Sequence, residues 1–312
     1  MSYQFKKWFF DLNINEETYI YFILVEIKFL FFKIRNFKFH YFNHTNGSLT
    51  KSKSVRLSID KDGWEGLNVK GKQLNFVPED KGLNFVSDFN DLKINLKINN
   101  YQKHYFRDSL IINHKNKRIE WFPVPLSMTA SGTIEMDKNL LRVENAPAYI
   151  DHVFSNILPF NTPVSKMYWG RLLHAEILIT YSIVYTSGGK EWSECIVMMN
   201  NQRLSFSDIQ YIKIKGSPDE QENEKDESIY QLTARNVFSS ITMKIHHQKI
   251  ADNGAFIVPE QYKFKNAYRI LNKISKNPRG KKFISKAELM LNNNGEHYRW
   301  DKLVCIDEYV LF

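Results

Sequence analysis

Apolar and polar residues alternate along most of this chain, and that period of two is what most restricts its fold. Val25-Glu26-Ile27-Lys28-Phe29 alternates, and so does Ile34-Arg35-Asn36-Phe37-Lys38-Phe39-His40-Tyr41. Successive side chains of a strand point to opposite faces, so alternation marks a strand with one face on a core. The pattern predicts a strong first strand over 18–32 that continues through Tyr41. Shorter strands are predicted near 55–59, 66–69, 74–77, 92–98, 109–113, 118–122, 126–136 and 140–143. Turn residues separate them: Asp60-Lys61-Asp62-Gly63, Lys70-Gly71-Lys72, Asn99-Asn100, Lys115-Asn116-Lys117 and Asp137-Lys138-Asn139. The second half reads alike, with strands over 172–186, 191–199, 209–214, 228–235, 241–247, 283–291 and 296–311. Many short strands at close spacing indicate an antiparallel sandwich or barrel. Two segments break the pattern. Ala267, Ile270, Leu271 and Ile274 have helical spacing within 259–276, and Gly216 to Glu227 is an acidic, apolar-free insertion expected to be a solvated loop.

A chain of 312 residues accommodates one large or two ordinary domains. The apolar run from Tyr19 to Phe32 is interrupted by Glu26 and Lys28, whereas a spanning helix needs about 20 mostly uncharged residues. The formal charge of +9 is spread evenly, with 22 basic and 17 acidic residues up to position 156 and 21 and 17 after it. Nucleic-acid binding needs a concentrated basic stripe, so that class is excluded and at most a peripheral contact with an anionic membrane surface is expected. The two cysteines, Cys195 and Cys305, lack any CxxC or Cys/His zinc spacing, and read as buried, reduced thiols of a cytoplasmic protein with no metal site. No small-residue cleavage site follows Phe5-Lys6-Lys7-Trp8. No GxGxxG is present and Ser187-Gly188-Gly189-Lys190 reads as a hairpin turn rather than a P-loop, so no cofactor is expected.

The chain also echoes itself. Ala148-Tyr149-Ile150-Asp151-His152 is answered by Val304-Cys305-Ile306-Asp307-Glu308, 156 residues later. Phe9-Phe10-Asp11 is answered by Trp169-Gly170-Arg171, 160 residues later. Similar offsets at the start and end of each half predict two homologous modules, 1–160 and 161–312, joined near Pro159 and Pro163. Only the first copy of the echo carries acid and imidazole side by side. Neighbours on a strand face opposite ways, so Asp151 and His152 share a cavity only if the backbone bends there. An Asp in an apolar cavity has its pKa raised by desolvation and serves as a general acid near neutral pH. By the same parity, His246 and His247 face opposite ways and cannot share a metal.

Trp121, Pro125, Gly132-Thr133-Ile134, Tyr149-x-Asp151-His152 and Trp169-Gly170-Arg171, taken in that order, resemble the hydroxyneurosporene synthase (CrtC) and AttH-type family. This group is related to the carotenoid hydratases and includes Diels–Alderase-like cyclases. The resemblance implies an all-β fold of two tandem lipocalin-like (calycin) antiparallel barrels. The family's central motif is Gly-Tyr-x-Asp-His-Asn-x-Gly. Here its first glycine is Ala148, its asparagine is Val153 and its last glycine is Ser155. The resemblance implies a cofactor-independent enzyme of natural-product or carotenoid biosynthesis, a hydratase or cyclase working on C=C bonds. Its substrate would be a hydrophobic polyene or isoprenoid-like molecule in a pocket at or between the barrels. Asp151 would be the acid, His152 and Tyr149 would orient it, and Trp8, Trp121, Tyr168 and Trp169 would shape the pocket or its rim. Loss of the motif asparagine moves weight from water addition toward cyclisation or ligand binding. Two further readings stay open: a lipid or pigment carrier without catalysis, and an interaction protein whose barrels are filled by Phe and Tyr.

Overall fold

The computed structural model describes the chain except residues 1–2, 16, 30–31, 44–50, 58, 64–66, 102–109, 125–126, 159–160, 187, 217–227, 256–278 and 312. The expected helix over 259–276 and all of the acidic insertion after Gly216 lie outside the described residues. Every regular element described is a strand, as the alternation requires. The chain divides into two compact units, Met1–Ile157 and Leu158–Phe312.

The first unit contains β1 (Tyr3–Asn13), β2 (Thr18–Phe29), β3 (Phe32–Asn43), β4 (Lys51–Arg56), β5 (Ile59–Gly63), β6 (Asn68–Gly71), β7 (Leu74–Glu79), β8 (Gly82–Phe89), β9 (Leu92–Asn99), β10 (Leu110–His114), β11 (Lys117–Pro123), β12 (Met128–Met136) and β13 (Asn139–Ser155). Its sheet runs β4-β3-β2-β1-β13-β12-β9-β8-β7-β6-β5, with the β10–β11 hairpin attached to the end of β13. The second contains β14 (Val164–Leu173), β15 (Ile177–Thr186), β16 (Gly189–Met199), β17 (Gln202–Phe206), β18 (Asp208–Lys215), β19 (Ile229–Arg235), β20 (Ser239–Ala255), β21 (Arg279–Asn293) and β22 (Glu296–Leu311), in the order β17-β16-β15-β14-β22-β21-β20-β19-β18.

Both orders follow one rule. The strands meander antiparallel away from the first, the chain crosses to the other edge, and the last strand pairs back with the first: β13 with β1, β22 with β14. In the second unit the two edge strands are consecutive, and Ser193 Oγ of β16 donates to the Ser207 carbonyl between them at 2.7 Å. Each unit is thus a curled, up-and-down antiparallel sheet of lipocalin-like type, the all-β fold class expected.

Local sequence explains the hairpins. β9 buries Leu92, Ile94, Leu96 and Ile98 and exposes Lys93, Asn95 and Lys97. Left-handed pairs close several turns: Lys115-Asn116, Asp137-Lys138 and Asn200-Asn201 all have φ between 48° and 70°, as two-residue type I′ loops require. Two expectations are corrected. The run 18–41 is a hairpin, not one strand, because Phe29 faces Phe32 across β2–β3. No Gly, Pro, Asn or Asp marks that reversal, so the sequence hides it. Asp60–Gly63 is no turn but part of β5, which pairs with β6.

The barrel interiors differ in kind. The inner face of the first unit carries Trp8, Phe10, Leu12, Phe22, Phe37, Phe39, Phe76 and Phe85 in one buried cluster. Phe76 stacks on Phe85 at 4.2 Å and on Phe10 at 4.9 Å, and Phe22 meets Phe85 edge-on at 5.1 Å. This is a packed aromatic core. The inner face of the second unit is instead rich in tyrosine: Tyr181 and Tyr211 are buried in the core, and Tyr168, Tyr185 and Tyr230 pack against it. Free Cys195 and Cys305 belong to the same core, with burial pushing both thiols up.

Candidate active site

The expected catalytic group does not assemble as written. β13 stays regular through Asp151 and His152, which face Phe9 and Trp8 of β1 in unbroken register. With no bend, the two side chains leave the strand on opposite faces. His152 joins the inner face, where its ring stacks on Trp8 at 4.2 Å and lies 5.6 Å from Phe122. Asp151 and Tyr149 share the other face, and both are fully buried. So the structure brings Trp8 and His152 together and separates both from Asp151. Trp121 lies opposite Val153 on β11, hence on the Asp151 side. Tyr168 and Trp169 also part: Tyr168 faces the interior of the second unit, while Trp169 points outward beneath the Arg171 guanidinium, 5.0 Å from its ring.

His152 is held neutral. Burial, and secondarily the charge of Lys6, pushes its pKa down to about 3. In the unfolded chain the imidazole takes up a proton near pH 6.5; in the folded chain it does not do so until about 3. Between those values the unfolded state binds more protons, so stability falls as pH falls through that window and is unaffected above it. His152→Phe, which keeps the stack, is expected to flatten the slope by a few kcal/mol between pH 7 and pH 4. Urea midpoints at the two pH values check this; parallel losses in wild type and variant would refute it.

The echo segment in the second unit holds the richer chemistry. Asp307 is 2% exposed and lies on the inner face opposite Gly170 of β14. Three donors converge on it. Tyr181 Oη donates to Oδ1 at 2.6 Å, Tyr211 Oη donates to Oδ2 at 2.5 Å, and His247 Nε2 lies 2.7 Å from Oδ2. Three hydrogen bonds onto two oxygens suit a carboxylate anion, which only accepts. Burial, and then the negative charge of Asp307, raises both phenols well above the ordinary tyrosine value, so they stay protonated as donors.

Strand register explains how residues so far apart in sequence meet. His247 on β20 faces Ser285 on β21, which faces Cys305 on β22. Asp307 lies two residues beyond Cys305 and faces Phe283. The imidazole therefore reaches diagonally across β21, resting on the Phe283 ring at 4.0 Å. Tyr181 reaches from the other side. It faces Gly170 on β14, and a Cβ at Gly170 would land on the Tyr181 ring. The glycine leaves the space through which the phenol passes over β14 to Asp307. Tyr211 comes from β18 at the opposite edge of the sheet.

With Asp307 accepting from Nε2, His247 carries its exchangeable lone pair or second proton at Nδ1. This is an imidazole oriented by a carboxylate, the arrangement of an acid–base catalyst. Around it stand Tyr230, 4.7 Å from the His247 ring and 5.1 Å from Tyr211, and Tyr168, 4.6 Å from Tyr211. Half-buried Tyr168, Tyr185, Tyr230 and Tyr309 line the end of the barrel above the pair. Ser285 Oγ is buried among these groups without a hydrogen-bond partner among the described residues. No group of three metal-ligating side chains occurs among the described residues. His246, by contrast, faces outward toward Glu288 at 3.3 Å.

No acid–imidazole pair is visible in the second half of the sequence, because its members are 60 residues apart. The echo placed Asp307 alongside Asp151, yet the two occupy opposite faces of their sheets. A one-residue difference in register exchanges the faces of a strand. The Phe9-Phe10-Asp11 and Trp169-Gly170-Arg171 alignment does preserve faces, since Phe10 and Gly170 both look inward.

No family model matches the sequence, and no curated protein does. Solved structures match over almost the full length. A putative AttH from Nitrosomonas europaea superimposes with a TM-score of 0.56 at 9% identity, covering 98% of this chain and 92% of that one. Kievitone hydratase from Nectria haematococca gives 0.56 at 11% identity, covering 98% and 88%. CghA in complex with Sch210972 gives 0.58 at 9% identity, covering 99% and 89%. The AttH-type resemblance read from the motifs is therefore real at the level of architecture: this chain has the tandem lipocalin-like fold of those proteins.

Proposed function

We propose that the chain is a cofactor-independent enzyme acting on a hydrophobic polyene or isoprenoid-like molecule, by proton-assisted hydration or cyclisation, with His247 and Asp307 as its acid–base pair. One observation carries the reading: a buried imidazole is oriented by a buried carboxylate inside a barrel whose interior is tyrosine-lined. Among proteins of like fold, one is named a hydratase and another holds the small molecule Sch210972. Small organic ligands in this fold are the general use of lipocalin-size barrels. The acid role is assigned to Asp307 because His247 meets it directly, whereas Asp151 and the adjacent His152 leave β13 on opposite faces.

The chemistry needs only proton movement. In hydration, protonated His247 gives its Nδ1 proton to one alkene carbon, water adds to the cation, and the added water's proton returns to Nδ1. In cyclisation, the same N–H polarises a carbonyl conjugated with the reacting π-system while the tyrosine walls fix its shape. Mass spectrometry after incubation with a panel of conjugated polyenes tests this. Conversion to an isomer, or to a product heavier by one water, is expected from wild type and lost in His247→Gln. Bound but unconverted polyenes would favour a carrier. That second reading has its own support, since both Asp307 oxygens already accept hydrogen bonds within the protein.

A further inference from the structure

The end of the C-terminal barrel carries a cation in an unusual setting. Lys166 Nζ lies 4.7 Å from the Tyr168 ring centroid and 5.6 Å from those of Tyr185 and Tyr309. The ammonium is thus held over three aromatic faces at the barrel mouth, an arrangement that fixes a normally mobile side chain. It forms no ion pair among the described residues. Lys213 repeats the theme, its Nζ 5.6 Å from the Tyr230 ring. Lys281 faces Tyr309 across β21–β22.

Register connects this mouth to the buried pair. Lys166, Tyr168 and Gly170 succeed one another on the inner face of β14, opposite Leu311, Tyr309 and Asp307. Tyr168 touches Tyr211, and Tyr211 donates to Asp307. A strand rises about 3.3 Å per residue, so Lys166 stands roughly 13 Å along β14 from the level of Asp307. Along this face the order is therefore positive charge, then tyrosine rings, then the acid–base pair.

We infer that Lys166 is the receptor for a carboxylate at one end of the apolar ligand, so that the substrate class is an amphiphilic acid with its reacting carbons remote from its anionic head. The inference rests on the proposed role of His247 and Asp307, and names what that site takes. A carboxylate completes the box by supplying the counter-ion that Lys166 lacks, and a charge-assisted hydrogen bond orients the chain inward. Tyr168, Tyr185 and Tyr309 pack around the head and the first carbons.

The full chain can be titrated with cis-parinaric acid, a fluorescent conjugated polyene acid, and with its methyl ester, both below micelle-forming concentrations. Wild type is expected to bind the acid at least tenfold more tightly than the ester. Lys166→Met and Lys166→Gln should erase that preference, and Lys166→Arg should keep it; thermal unfolding shows that each variant is folded. Equal binding of acid and ester by wild type, or a preference surviving in both neutral variants, would overturn the role of Lys166 alone. Binding of neither probe would overturn it together with the reading of this barrel as a ligand site.

Discussion

Replacing Asp307 by Asn is expected to leave the C-terminal barrel folded and to cut turnover by about 10²- to 10⁴-fold. The amide is isosteric with the carboxylate, so its carbonyl oxygen still accepts from Tyr181. Its Nδ2, however, is a donor where the wild type has an acceptor. His247 Nε2 must then become the acceptor, and the imidazole proton moves to Nδ1. Neutral His247 would present a proton where the native tautomer presents a lone pair, and the imidazolium would lose its stabilising anion. Tautomer inversion of this kind, rather than loss of shape, is how Asp→Asn acts in a catalytic triad. Imidazole ¹⁵N shifts read the tautomer without any substrate. A native-like Nε2–H signal in Asp307→Asn, or undiminished turnover, would remove Asp307 from the mechanism. Asp307→Ala is a harsher change: it strands three buried donors, each costing about 1–3 kcal/mol, and is expected to unfold the unit.

The division of labour between the barrels was only partly legible in the sequence. Alternation in segments such as Leu92–Asn99 announces strands because it records one-sided burial directly. β2 and β15 are buried on both faces, so their apolar runs carry less information about where they begin and end. The β2–β3 reversal was invisible because no turn-forming residue marks it. The Asp-His motif in β13 drew attention because its members are adjacent, yet adjacency on a strand guarantees separation. Asp307 and His247 meet because three strands lie side by side in a register no local pattern encodes. Parity did place His247 and His246 on opposite faces. What parity lacked was which face looked inward, and that depends on β21 joining β20 to β22.

The aromatic richness of the chain likewise has two meanings. Phenylalanine fills the first barrel, where stacked rings such as Phe76 and Phe85 leave the inner face apolar. Tyrosine dominates the second, and its hydroxyls need partners when buried. Asp307 supplies one for Tyr181 and one for Tyr211. The polar centre is therefore both the hydrogen-bond solution for this core and the chemistry it offers. Either residue class would have satisfied the strand propensity read from composition.

Gly170→Ala is expected to destabilise the C-terminal unit by about 3–5 kcal/mol, more than a single methyl group usually costs in a core. The backbone at Gly170 needs no left-handed conformation, since Gly170 is not among the positive-φ glycines. The cost comes from contact: the new Cβ would fall on the Tyr181 ring, which is fully buried and hydrogen-bonded to Asp307. The ring must shift, and the phenol then leaves the carboxylate, adding about 1.5–3 kcal/mol for a charged hydrogen bond to the overpacking strain. For a unit of this size the thermal midpoint should fall by roughly 10 °C. A double-mutant cycle isolates the cause. In a Tyr181→Ala background the space over β14 is open, so Gly170→Ala should cost almost nothing there. An undiminished cost in that background would assign the glycine to the backbone and leave Tyr181 without its passage to Asp307. Strong coupling would instead explain why the Trp169-Gly170-Arg171 motif carries a glycine: it is the opening through which β15 reaches the buried carboxylate on β22.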